Sequence, residues 1–73
     1  MRSVREMKIG ERATIRKLQD PEMALKLLEM GCIPGTEVKL NSVAPLGCPI
    51  TIIVDGYTLS LRLEEAGTII LDS

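Results

Sequence analysis

The sequence predicts a mainly β fold, a small and strongly bent barrel of about five strands with one main α-helix. Three observations lead there. After residue 36 the chain is a succession of short apolar runs separated by Gly, Pro and Asp turn signals. One segment, "DPEMALKLLEMG", carries a complete set of helix start and stop signals. The core must also be aliphatic, because Tyr57 is the only aromatic in a chain without Phe or Trp. Closing a small sheet on itself removes exposed edges and lets a single helix plug an open end. At 73 residues there is room for one domain spanning residues 1–73, and a domain of this size buries only about 60% of its unfolded surface.

The elements follow in order. A helical turn is possible at residues 4–8, and Gly10 then opens a strand over residues 12–18 whose alternation is interrupted by adjacent Arg16 and Lys17. In the helix, Asp20 suits the N-cap, Pro21 the first helical position and Gly31 the left-handed residue that ends it. Glu22 and Lys26 are spaced for an i,i+4 ion pair, and Glu22, Lys26 and Glu29 share one narrow polar side. The apolar remainder spans about twice the roughly 100° stripe that a helix on a small sheet can bury. Ala24, Leu27 and Leu28 lie mid-arc and are expected in the core. Met23 and Met30 on one edge, and Leu25 on the other, are harder to cover. Either strand ends and loops cover them or they form a contact surface.

Pro34-Gly35 makes a turn into a strand over residues 36–43 with Val38 and Leu40 on one face. In "PITIIVDGYTLSLRL", Asp55-Gly56 is a favoured two-residue hairpin loop, so Val54 pairs with Tyr57, Ile52 with Leu59 and Ile50 with Leu61. All six residues are expected on the core face, Tyr57 included. Glu64-Glu65 reads as a solvated turn before a last strand over residues 68–71.

Composition excludes several function classes. Nine basic and ten acidic residues give a net charge of −1, too balanced for phosphate binding driven by counterion release, so nucleic acid is not an expected partner. One aromatic cannot supply a stacking platform for single strands. There is no run of about 18 apolar residues and no signal-peptide pattern, which predicts a cytoplasmic protein that does not insert into membranes. Two cysteines, Cys32 and Cys48, are too few for a secreted disulfide framework. The chain has no His, so no hydrolytic triad can be built and a zinc site would need unusual ligands. Neither the glycine spacing nor the Lys-Ser/Thr pair of a phosphate loop is present. These features predict no catalytic residues, no metal ligands and no cofactor, with recognition as the remaining role. In "APLGCP" (residues 44–49), Pro45, Gly47 and Pro49 predict a rigid bend, and Cys48 is read as a small exposed loop residue.

The runs "LLEMGCIPGTEV" and "APLGCPITIIVDGYTLSLRLEEAGTIIL" resemble the FeoA family over nearly the whole chain. The matching elements are the leucine-rich helix ending in Gly31, the Pro34-Gly35 turn, the Pro45-Leu46-Gly47 loop with Pro49, and the Leu61-Arg62 pair before an acidic-Ala turn. The resemblance implies an SH3-like barrel and a cytoplasmic accessory of ferrous iron uptake. It also implies docking on the cytoplasmic part of the FeoB GTPase-permease, peripheral to the membrane, and modulation of that transporter. For the docking surface the residues themselves offer Met23, Leu25 and Met30 of the helix, next to the loop Pro45, Leu46 and Gly47; Met adapts readily to a partner. Self-association through the same helix or an unpaired edge is compatible with this role.

The same domain also ends metal-dependent repressors, but no helix-turn-helix segment precedes it here, which favours the transport accessory. Cys32 stands where the family usually has an aliphatic residue, and Cys48 where Asp is frequent. The alternative function is therefore a metal-responsive regulatory module, related to the repressor C-terminal domain, in which Cys48 and nearby acids bind a divalent transition metal. Asp would suit a hard cation and Cys a softer one.

Overall fold

The computed structural model describes residues 2–72. Its strands are β1 (Arg12–Leu18), β2 (Glu37–Val43), β3 (Ile50–Val54), β4 (Tyr57–Leu61) and β5 (Ile69–Asp72), and its helices α1 (Pro21–Glu29) and α2 (Leu63–Ala66), with a 3-10 turn at Val4–Glu6. The strands form one antiparallel sheet in the order β4-β3-β2-β1-β5. Register shifts between Ile15 and Lys17 in β1 and between Leu40 and Ser42 in β2 mark bulges. Bulges bend and twist the strands that carry them.

The hairpin register is the expected one: Val54 pairs with Tyr57, Ile52 with Leu59 and Ile50 with Leu61. Asp55 at φ 50° and Gly56 at φ 81° occupy the left-handed conformation that such a loop needs at both positions. Asp20 caps α1 by accepting from the Glu22 N–H at 2.8 Å, and Gly31 at φ 103° ends it. The side chains of Leu27, Val38, Leu40, Ile50, Ile52, Val54, Leu61, Ile69 and Leu71 meet in one buried cluster with Val4, Ile15 and Cys32.

Five expectations need correction. The first concerns the rotation of α1. Leu28 is 41% exposed, whereas Met23 and Met30 pack against the core beside fully buried Leu27. The inward line is thus 23–27–30, and at 100° per residue this turns the helix roughly 80° from the midpoint of its apolar arc. The second accompanies the first: Lys26 pairs not with Glu22 but with Glu65 of α2, Nζ to Oε2 at 2.8 Å, on the Met edge of α1. Unbranched Met side chains fill the uneven space beneath. Third, the "EEAG" segment is the helix α2, and Glu65 is buried rather than solvated.

Fourth, Tyr57 lies outside the core at 71% exposure, because it begins an end strand beside the hairpin loop, where none of the described elements covers it. Fifth, the ladder does not close. Among the described residues β4 and β5 are its two ends, and the N-terminal segment covers the β5 end, where the Leu71 N–H donates to the Arg2 carbonyl at 2.9 Å.

Candidate functional site

The residues singled out from the sequence fall into three environments. Met23 and Met30 are half-buried on the inward side of α1. Leu25 is 67% exposed on the opposite side, with Leu28 three residues on, so both lie on one outward face. In the loop between β2 and β3, Pro45 is exposed and Gly47 half-buried. Leu46 is 97% exposed and so packs on neither helix nor core, which makes loop and helix two separate apolar points.

Two residues missed by sequence reasoning define a cleft. Ile33 and Tyr57 are 51% and 71% exposed, and with Met30, Val54, Glu29 and Asp55 they line a depression of about 400 Å³ between the end of α1 and the β3–β4 hairpin. Ile33 was hidden inside a turn signal. Tyr57 was hidden by perfect strand alternation, which gives the face of a side chain but not how far the core extends. A second depression of similar size, about 390 Å³, is lined by the charged Arg12, Lys39, Glu37 and Asp55 together with Thr36, Ile53 and Gly56.

The outward face of α1 depends on how the inward face is fastened. Glu65 accepts from Lys26 Nζ and from the Arg62 N–H, each at 2.8 Å, and these bonds hold its carboxyl below the usual carboxylate range, the Lys26 bond contributing most. Burial pushes the neighbouring Cys32 thiol up, and the Glu65 charge adds to this. Cys32 is thereby a buried small apolar side chain, not a nucleophile. Cys48 is exposed and unpaired, beside a cis bond to Pro49. Among the described residues no three Cys, Asp or Glu side chains gather as a metal cage. No helix among them is long and apolar enough to cross a membrane.

The geometry is a capped helix across a five-stranded antiparallel sheet, with Leu25 and Leu28 turned outward. Residues 2–73 match the FeoA domain model. The chain belongs to the FeoA family. Solved FeoA structures superimpose closely. Iron(II) transport protein A from Clostridium thermocellum is 33% identical, with a TM-score of 0.91 over 97% of this chain and 44% of that one. A FeoA-like protein from Clostridium acetobutylicum is 31% identical, with a TM-score of 0.89 over 96% of this chain and 83% of that one. FeoA from Stenotrophomonas maltophilia, in complex with zinc, is 26% identical, with a TM-score of 0.87 over 99% of this chain and 91% of that one. It is described as a prokaryotic SH3 domain protein and a possible activating factor of ferrous iron transport. A manganese-dependent repressor at 20% identity shares the fold over 36% of its length. Comparison with curated proteins gives no significant match. The FeoA assignment bears out the SH3-like fold and the resemblance read from the helix, loop and hairpin motifs.

Proposed function

We propose that this FeoA-family chain is a non-enzymatic accessory of ferrous iron uptake that docks on the cytoplasmic part of a FeoB-type GTPase-permease and modulates it. In that role it sits at the inner membrane surface through its partner. The observation that carries the reading is the outward pair Leu25 and Leu28, 67% and 41% exposed on a helix whose other side is buried and ion-paired. A small domain gains no stability from such a pair, whereas a partner that covers it gains about 25 cal/mol per Å² of apolar surface removed from water. Met30, on the inward side, lines the separate Ile33–Tyr57 cleft, and Leu46 offers a further exposed anchor.

The test is a pull-down with the transporter's cytoplasmic domain. Leu25→Glu and Leu28→Glu are expected to keep the fold and lose capture, and Leu46→Glu to weaken it. Unchanged capture by all three overturns the docking surface.

The zinc complex of the Stenotrophomonas maltophilia FeoA supports a second reading, in which this chain takes a divalent transition metal, with Cys48 and nearby acids as the candidate ligands. Calorimetry with Fe(II), Mn(II) and Zn(II) on the reduced protein decides it. Saturable micromolar binding that Cys48→Ser removes supports this reading, and absence of such binding eliminates it.

A further inference from the structure

The sheet ends in two unlike edges. At β5 the N-terminal segment is hydrogen-bonded along the outer side, with Ser3 bridged to Ile70 and the Leu71 N–H on the Arg2 carbonyl. β4 has β3 on one side, and among the described residues no backbone group of Tyr57–Leu61 bonds beyond that ladder.

The hairpin decides which groups are left over. In a two-residue loop of this type, the closing Val54/Tyr57 pair exchanges both its backbone hydrogen bonds, and the pattern repeats at Ile52/Leu59 and Ile50/Leu61. Thr58 and Ser60 therefore turn their N–H and C=O groups away from β3. Sheets ordinarily blunt such an edge with a Lys, a Pro or a bulge. "YTLSL" has no charge and no Pro, and its register on β3 is unbroken.

The strand is also symmetric in kind about Leu59: a hydroxyl residue stands on either side, and an apolar or aromatic one beyond each. We propose that β4 pairs antiparallel with β4 of a second copy about a twofold axis at Leu59. Thr58 then faces Ser60 of the second copy, and both of these pairs carry the outward groups, so each exchanges its N–H and C=O bonds in both directions. Leu59 meets its own counterpart in the closely spaced, non-hydrogen-bonded position, and exposed Tyr57 lies opposite Leu61, whose side chain stays in its own core. Just past the strand, Arg62 faces Gly56 of the second copy, beside Asp55. Neither Arg62 nor Asp55 has an ion-pair partner among the described residues, so the two charges complement each other at both ends of the interface. The contact is isologous and closes at a dimer. It leaves the Leu25–Leu28 face uncovered and does not depend on the transport reading.

Sedimentation equilibrium from micromolar to millimolar protein tests it, on the wild type, Ser60→Pro and Arg62→Glu. Amide exchange at Thr58 and Ser60 is followed at the two concentration limits. The Ser60 N–H makes no bond to β3, so Pro there removes only an outward donor. The wild type is expected to dimerise. Ser60→Pro should raise the dissociation constant about tenfold or more, and Arg62→Glu should raise it in a manner that salt reduces. Protection of the Thr58 and Ser60 amides should rise with concentration. A monomer throughout, a dimer unaffected by both substitutions, or amide exchange at Thr58 and Ser60 independent of concentration overturns the proposal. If Ser60→Pro fails to fold, Arg62→Glu and the exchange rates decide.

Discussion

The two sides of α1 are made of the same kinds of residue and do opposite things. Along the inward side, Leu27 is completely buried and Met23 and Met30 pack against the core. Lys26 at the margin bonds to buried Glu65. Along the outward side, Leu25 and Leu28 face solvent. Hydrophobicity alone does not separate the two, since Leu stands on both. What separates them is the rotation of the helix, and one polar contact accompanies that rotation. If the Lys26–Glu65 contact sets that rotation, loosening it should free the Met edge of α1.

The largest effect that sharpens this contrast is expected from Leu27→Ala. Removing a fully buried Leu leaves a cavity with a core on one side and a helix on the other, and such substitutions cost about 2–5 kcal/mol. Urea denaturation should show a fall of that size, while Leu25→Ala shifts the midpoint little. Equal effects at the two positions would erase the distinction between the faces.

Next in size is the latch. Glu65→Gln keeps the shape of the side chain but removes the charge from the contact with Lys26, and leaving a buried polar group poorly partnered costs about 1–3 kcal/mol. In Glu65→Gln, Met23 and Met30 should also become more accessible to limited peroxide oxidation. A stability loss without that exposure would mean that Glu65 stabilises α2 alone, through the Arg62 N–H.

Acid supplies the same perturbation reversibly. The folded carboxyl of Glu65 is held below the usual range by Lys26 and the Arg62 N–H, and that of Glu11 by the Lys8 N–H and by Arg2. A carboxylate with a depressed folded pKa contributes stability above its unfolded pKa and loses it as pH falls through the folded value. Stability should therefore be level near neutrality, begin to fall near the ordinary carboxylate value of 4.5 and continue falling below it. Thermal melts of the wild type and Glu65→Gln between pH 7 and 3 check the sign: the variant starts lower and declines less.

Much of this was legible in the sequence because local chemistry fixed it. Asp20, Pro21 and Gly31 bound the helix, and Asp55-Gly56 sets a hairpin whose every pair follows from the loop. The rest depended on contacts distant along the chain. Glu65 is 39 residues from Lys26, and no periodicity within α1 points to it. Without that contact the midpoint of the apolar arc is the natural inward direction, which places Leu28 inside and leaves Met23 and Met30 at the margin. Tyr57 was misplaced for a related reason: alternation assigns it to the core face, but only the strand order shows that β4 is an end strand.

The smallest effect on stability is the one that bears most directly on function. Leu25→Glu and Leu28→Glu replace exposed side chains, and surface changes away from caps and buried contacts usually stay within about 0.5 kcal/mol. Leu25 sits on the outward line, so its replacement should leave the urea midpoint nearly unchanged. Leu28, at 41% exposure, keeps some contact and should lose slightly more. Both also place a carboxylate on a face already carrying Glu22 and Glu29, which raises the local negative charge without touching the Lys26–Glu65 pair. A partner that covers Leu25 must then desolvate a charge, and capture should collapse while the fold persists. If Leu25→Glu lowered stability as much as Leu27→Ala, the outward face would belong to the core, and the division of α1 into a holding side and an offering side would fail.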